Sequence, residues 1–290
     1  MSRWSPGKNL RISRLGPQDG RYLFVPMDHS LADGPIAGEQ RFHELVREVV
    51  AGGADAVVVH KGRARGLDPA MLRGSALIVH LSGSTPHARD ADAKVLVGSV
   101  EDALQLGADA VSVHVNVGSD TEAEQLADLG TVASACERWG VPLLAMVYPR
   151  GPRIADPHDP ATLAHVVNIA ADLGADLVKT TWSAPFDAMA DVVASSPIPV
   201  LVAGGPRGSG DLMDYARSAR DAGCAGLAVG RRIFQHPQPR VVVQDLVAVL
   251  HCPAGDPGRV LTEVPTAGPV PALPSVSPFP SPSHALAGSR

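Results

Sequence analysis

Short apolar runs recur along the chain at 22–26, 56–59, 76–79, 95–97, 110–113, 143–147, 177–178, 200–203 and 226–229. Several are continuous Val, Leu, Ile and Ala rather than alternating with polar residues, which suits parallel strands buried on both faces. Between them lie stretches of helical spacing at 40–50, 121–139, 161–173, 186–194 and 212–222. The phrases AGGADAV, QLGADAV, DLGADLV and DAGCAGL return just ahead of apolar runs. Each reads as a helix-ending glycine followed by strand entry, once per strand–helix unit. Such alternation implies either a closed barrel or an open doubly wound sheet. The open sheet carries a G-x-G-x-x-G turn after its first strand, whereas the first run here is followed by MDHSLADGPIAG. The expected fold class is therefore α/β, a (β/α)8 TIM barrel. Nine runs for eight barrel positions make 95–97 an accessory excursion, which places Lys179 on the sixth strand.

Composition sharpens this picture. A chain of 290 residues fits one large α/β domain, expected over 1–252. The segment 253–290 has nine prolines among its 38 residues and no periodicity, and is expected to be a disordered Pro-rich tail. A net charge of −5 argues against nucleic acid as a partner. No apolar stretch approaches the ~18 residues of a membrane span, and the basic start MSRWSPGKNLRISRLG lacks the apolar core of a secretory signal. Cys136, Cys224 and Cys252 are far apart and form no C-x-x-C pair, so the natural expectation is a reducing, cytoplasmic setting.

The lysines narrow the chemistry. Only four of the 25 basic residues are lysine: Lys8, Lys61, Lys94 and Lys179. Arginine cannot serve as an amine nucleophile, whereas a desolvated lysine can. In barrels the working residues sit at the C-terminal ends of strands. Those positions here hold Asp28 and His29, His60 and Lys61, His80, His114 and Asn116, Tyr148, Lys179 to Thr181, Gly204 and Gly205, and Gly230 and Arg231. Lys179, closing a buried apolar strand, is placed to attack a ketone, and the resulting iminium would let a neighbouring carbon–carbon bond break or form. Lys61 is its rival, and a cation pairing with substrate phosphate is the alternative role for Lys179. Asp28 could be a general base if an apolar mouth raises its pKa, and Tyr148 could carry a proton; a capping carboxylate and a rim phenol are the plainer readings of each alone. Gly204, Gly205 and Gly230 follow the last two strands, where this fold commonly binds phosphate, and Arg231 can clamp the anion. Tight turns are the alternative reading of those glycines. His29, His60, His80 and His114 near Asp28 also permit a divalent metal, although no H-x-H or H-E-x-x-H spacing supports one.

The segments FVPMDHSLADGPI, VVVHKG, VSVHVNVGSD, AMVYPRG, DLVKTTW, VLVAGGPR and GLAVGRRIFQHPQP resemble, in this order, the archaeal-type class I aldolases. Within that group they look most like the aminodideoxyheptulosonate synthases and their secondary-metabolic relatives, over about 9–250. The resemblance implies a Schiff-base (β/α)8 barrel without a further cofactor, with the family lysine at Lys179, its acid/base aspartate at Asp28 and its tyrosine at Tyr148. It puts phosphate at Gly204, Gly205 and Gly230 beside Arg231; His29, Lys61 and His114 complete the candidate substrate contacts. It implies a homo-oligomer joining a phosphorylated ketose donor, dihydroxyacetone phosphate or a deoxy-diulose phosphate, to aspartate semialdehyde. The product would be a seven-carbon amino keto acid bound for aromatic amino acids or an aminohydroxybenzoate. One departure stands out: Trp182-Ser183-Ala184 replaces the family's Tyr-Thr-Gly or similar, changing the wall expected beside the iminium. Two other readings are a class I fructose-1,6-bisphosphate aldolase, which needs two phosphate sites, and an inactive sugar-phosphate-binding barrel, against which the joint presence of Asp28, Tyr148 and Lys179 argues.

Overall fold

The computed structural model describes residues 4–90, 92–183, 185–205 and 210–251. The segment expected to be a disordered tail lies outside the described residues, as does the domain boundary placed beside it. Among the described residues eight parallel strands close a barrel: β1 Tyr22–Pro26, β2 Ala56–His60, β3 Ala76–His80, β4 Ala110–Val117, β5 Leu143–Pro149, β6 Leu177–Thr180, β7 Val200–Ala203 and β8 Gly226–Ala228. Each strand pairs with its sequence neighbour, and β1 closes the ring on β8. The run at 95–97 is accessory, as the pattern implied: Val95–Leu96 pairs antiparallel with Ser82–Gly83 in a separate two-stranded ribbon.

Helices Glu39–Ala51, Glu122–Trp139, Pro160–Asp172, Met189–Ser195 and Leu212–Asp221 fall where helical spacing put them. Helix Pro239–Leu250 packs between Glu39–Ala51 and Leu212–Asp221. Its sequence PRVVVQDLVAVL is too apolar for its buried stripe of Val242, Val243, Leu246 and Leu250 to stand out.

The strands bury both faces. Phe24, Val58, Ile78, Ala110, Leu144, Leu177, Leu201 and Ala228 point into the barrel and pack together. Their neighbours Val25, Val57, Val79, Val111, Ala145, Val178, Val202 and Leu227 point outward beneath the helices. Because both faces are apolar, hydrophobicity alone penalises a one-residue slip only weakly.

The repeated strand-entry phrases supply what hydrophobicity leaves open. Gly53, Gly107, Gly174 and Gly223 take positive φ of 96°, 79°, 94° and 83°, ending the preceding helices. In three of the four phrases an aspartate stands two residues on. Asp55 accepts the Leu23 N–H at 2.6 Å, Asp109 accepts the Leu77 N–H at 3.2 Å, and Asp176 accepts the Leu143 N–H at 2.9 Å. Each carboxylate thus leads one strand and holds the first turn of its neighbour, locking β1 to β2, β3 to β4 and β5 to β6. The fourth phrase has Ala225 there instead, and its carbonyl takes the Tyr22 N–H at 2.9 Å.

The N-terminal helix Pro6–Ile12 seals this end of the barrel. Lys8 is 2% exposed, and its Nζ lies 2.8 Å from Glu137 and 3.2 Å from Asp176. Replacing Lys8 by Met leaves Asp176 buried without its cation, and breaking a buried pair costs about 3–5 kcal/mol. The urea midpoint of Lys8→Met should fall accordingly; a midpoint matching wild type would show that Asp176 needs no counter-charge.

Candidate active site

The inward alternation continues past the apolar layer and changes chemistry. Two residues beyond Val58, Ile78 and Leu177 come His60, His80 and Lys179, and two beyond Met146 comes Tyr148. With Asp28 after β1 and Gly230 after β8, these residues line a cavity of about 570 Å³ at the C-terminal mouth. That volume falls within the range of small-molecule sites.

Lys179 sits between Met146 of β5 and Leu201 of β7 in the barrel register and is 8% exposed. Its Nζ lies 4.0 Å from the Met146 sulfur and 5.9 Å from the centroid of the Tyr148 ring. Among the described residues no carboxylate oxygen comes within 4.0 Å of it. Lys61 is different. One residue beyond inward-facing His60, it takes the opposite parity, stays half-exposed, and pairs with Asp102 Oδ2 at 2.9 Å. Expected as a substrate contact, it is absent from the residues that line this cavity.

The histidines converge from β2, β3, β4 and the connection after β1. His80 Nδ1 contacts Ser112 Oγ at 2.8 Å, and its Nε2 is 3.9 Å from Asp28 Oδ2. His60 Nδ1 donates to the His80 carbonyl at 3.2 Å. His114 lies against Tyr148 at 4.9 Å between ring centroids and contacts Asn116 Oδ1 through Nε2 at 2.8 Å. The Asn116 amide donates to the Asp92 carbonyl at 2.7 Å, which fixes its oxygen toward His114 and leaves His114 the donor. His29 Nδ1 is 3.3 Å from Asp28 Oδ1 without a hydrogen bond, and its ring meets Phe234 edge-on. Among the described residues no group of three or more His, Cys, Asp or Glu is disposed to hold a metal.

Electrostatics at Asp28 run opposite to expectation. Burial alone would raise its pKa, but His80, His29 and Lys179 outweigh burial and hold it below the usual aspartate value. Burial pushes His80 down to about 4, lowers His29, and lowers His114 strongly. His80, His29 and His114 are therefore neutral near pH 7. The conditional reading of Asp28 as a base with a raised pKa is corrected: three strands bring cationic or polarisable groups to it, and their pull exceeds desolvation.

The other side of the mouth is backbone. A Cβ on Gly230 would sit 2.5 Å from the Pro26 carbonyl and 2.6 Å from the His29 ring, and one on Gly204 would sit 2.7 Å from Val229. Both positions admit only glycine without local displacement. Arg232 donates to the Gly204 carbonyl at 3.3 Å and the Gly210 carbonyl at 2.8 Å. Arg231, 3.3 Å from Asp33, begins a short helix whose first N–H groups have no intrahelical partner. Gly204, Gly205, Gly230 and Arg231 all line the cavity.

Lys94 and Arg150 are among the lining residues that escaped the reading of strand ends. Continued alternation through Met146 and Tyr148 would have found Arg150. Lysine scarcity was the sole pointer to Lys94, which precedes the ribbon strand Val95–Leu96. Trp182, expected to wall the iminium, packs on Tyr215 with ring centroids 5.3 Å apart and is not in the cavity lining. Its parity turns it outward.

A closed (β/α)8 barrel with a buried, inward-facing lysine at its mouth defines a Schiff-base aldolase scaffold, and the chain belongs to the DeoC/LacD family of aldolases, whose pattern matches residues 22–236. It is 51% identical over 247 residues to a 2-amino-4,5-dihydroxy-6-oxo-7-(phosphonooxy)heptanoate synthase of Streptomyces griseus, covering 84% of this chain and 90% of that one. It is 44% identical over 257 residues to a 2-amino-3,7-dideoxy-D-threo-hept-6-ulosonate synthase of Halobacterium salinarum, covering 88% and 95%. Among solved structures it is similar to an archaeal fructose-1,6-bisphosphate aldolase whose catalytic lysine is bound to the substrate's carbinolamine, with a TM-score of 0.77, 25% identity, and 84% and 99% coverage. The fold and the class of enzyme expected from the sequence are those the comparisons bear out.

Acid should loosen this mouth. His80 is lowered from 6.5 to about 4, so the unfolded chain binds that proton first as pH falls. The stability from a neutral His80 is complete above about pH 6.5 and disappears toward pH 4, on the order of 3 kcal/mol. His29 and His114 act in the same direction. Unfolding midpoints should drop between about pH 7 and about pH 4.5, and His80→Gln should flatten the slope. An unchanged slope in that variant would remove His80 from the account.

Proposed function

We propose that this enzyme joins a phosphorylated ketose to the aldehyde of an amino acid through an iminium on Lys179, forming a seven-carbon amino keto acid phosphate. The observation that carries the reading is Lys179 itself: buried, facing inward, without a carboxylate partner among the described residues, and flanked by Tyr148 and Asp28. The relatives' product names supply the substrates. In 2-amino-4,5-dihydroxy-6-oxo-7-(phosphonooxy)heptanoate, the bond between C4 and C5 is the one beta to the ketone. Breaking it by a retro-aldol step leaves dihydroxyacetone phosphate and aspartate semialdehyde. The hept-6-ulosonate product shares the amino-acid half and lacks oxygen at C7, so a deoxy-diulose phosphate donor is the variant at that end.

The steps are those that an iminium on Lys179 requires. The Lys179 amine adds to the ketose carbonyl, and loss of water from the carbinolamine leaves the iminium. Removal of a proton from the adjacent hydroxymethyl carbon gives an enamine. That carbon attacks the acceptor aldehyde, forming the new bond, and the aldehyde oxygen takes a proton. Water then adds to the product iminium and releases Lys179. Asp28, held ionised, suits stabilising the iminium charge and accepting the hydroxymethyl proton as the enamine forms, while Tyr148 protonates the developing alkoxide. The donor phosphate lies on Gly204, Gly205 and Gly230, with Arg231 as clamp. The iminium already withdraws electrons from the reacting carbon, so a Lewis-acid metal would duplicate it. Fructose-1,6-bisphosphate cleavage is the second reading, favoured by structural likeness at 25% identity and ranked below relatives at 44–51%.

Borohydride with the ketose phosphate should add the reduced ligand mass at Lys179, and Lys179→Arg should lose both labelling and turnover because guanidinium cannot form the iminium. Labelling at Lys61, or turnover without labelling, would refute the assignment.

Arg231→Ala should raise KM for the phosphorylated donor with little change in kcat, a loss of roughly 1.5–3 kcal/mol. Exhaustive chelation should leave turnover intact.

A further inference from the structure

Lys94 and Arg150 have no role in the chemistry just described, yet both are built into the mouth. The ribbon explains how Lys94 gets there. Ser82 pairs with Leu96 and Gly83 with Val95. One step further the same register sets Ser84 opposite Lys94, and Lys94 Nζ donates to Ser84 Oγ. Both arms are tied to the barrel. The His114 N–H donates to Ser82 Oγ at 2.7 Å, and the Val97 N–H to the Leu81 carbonyl at 2.7 Å. On the returning arm, Asn116 and Gln125 side-chain amides both donate to the Asp92 carbonyl, at 2.7 and 3.1 Å. Arg150 arrives from β5, its N–H bound to the Val117 carbonyl at 2.8 Å and its guanidinium 5.3 Å from the Tyr148 ring centroid.

Among the described residues neither cation has a carboxylate within 4.0 Å, although Asp28 and Asp33 line the same cavity. Burial first, then repulsion from Arg150, lowers the Lys94 pKa, while Asp92, Asp28 and Asp33 pull it the other way, so the two cations are close enough to oppose each other. Barrel order separates them from the glycine loops. Lys94 stands over β3 and β4 and Arg150 follows β5; Lys179 is on β6; Gly204, Gly205 and Gly230 follow β7 and β8. An anion at each set of groups would therefore lie on either side of the iminium.

We propose that Lys94 and Arg150 form the acceptor subsite and bind the carboxylate of the amino-acid aldehyde, so that the loop between β3 and β4 selects the acceptor. The inference rests on the aldolase reading above. A planar guanidinium beside a point-charge ammonium matches a carboxylate; a phosphate on the acceptor would share the anionic chemistry, and the choice of acceptors separates the two.

The test uses the full chain with Lys94→Met, Arg150→Met and Lys94→Arg. Three acceptors are compared: aspartate semialdehyde, glyceraldehyde 3-phosphate and propanal. Borohydride trapping of the donor at Lys179 is measured in parallel without acceptor. Losing one charge-assisted contact should raise KM for aspartate semialdehyde about 10- to 100-fold. Propanal kinetics and donor trapping should stay as in wild type, and Lys94→Arg should recover most of the loss. Unchanged KM for aspartate semialdehyde, or an equal effect on propanal, would overturn the proposal. A larger effect on glyceraldehyde 3-phosphate would overturn the carboxylate assignment. Absence of donor trapping in the wild-type enzyme would instead refute the Schiff-base reading itself, so the two failures are distinguishable.

Discussion

The barrel's register is the constraint on which the site depends. Each strand offers its two faces alternately, so a slip of one residue would turn Lys179 outward and bring Thr180 to the mouth. Apolar packing resists such a slip only weakly here, because Val178 is as well buried outside as Leu177 is inside. The carboxylates of Asp55, Asp109 and Asp176 resist it strongly. A slipped strand would leave each without the neighbouring N–H it accepts, and hydrogen bonds to a charged group are worth about 1.5–3 kcal/mol apiece. The aspartates lie at the opposite end of the strands from the chemistry, and through register they set which atoms reach it.

Register also assembles the electrostatics. His60 faces His80 directly across β2 and β3, and His114 faces Met146, which faces Lys179. His80 and His114, neutral in these positions, offer hydrogen bonds without adding positive charge that would compete with an iminium. Asp28, kept ionised among them, is then the nearby negative group as positive charge develops on the nitrogen. For the proposed iminium, such a mouth would be preorganised for a cation that exists only during the reaction, where electrostatic complementarity is most effective.

Most of the fold was legible because a buried parallel strand is a local pattern, and the excursion at 95–97 was recognisable as the surplus run. Lys179 was legible for the same reason, since it ends such a run in a lysine-poor chain. Lys61 was placed at the mouth on proximity to a strand end without parity; counting alternate residues on from Val58 reaches His60 and gives its neighbour the opposite face. The charge state of Asp28 could not be read locally, as it depends on side chains from β2, β3 and β6 meeting at one point. Lys94 was hidden for a related reason. Its position comes from the register of a ribbon whose strands are two residues each, too short to carry periodicity.

The division between strands and loops bears on how one scaffold serves different aldol reactions. In the proposed reaction, strand ends supply Lys179 and Tyr148, the groups that would make and protonate the intermediate whatever the acceptor. The groups proposed to read the substrates' far ends belong to connections: the glycine turns after β7 and β8, and the ribbon between β3 and β4. A change of acceptor therefore need not disturb the register that positions Lys179. It requires a different charge pattern on a ribbon anchored to the barrel through Ser82, Leu81 and Asn116. That anchoring matters as much as the charge, because a cation on an untethered loop would lose in ordering entropy what it gained in contact. Lys94 is held before substrate arrives, and a positively charged group fixed in advance discriminates more sharply than one that must be ordered by binding.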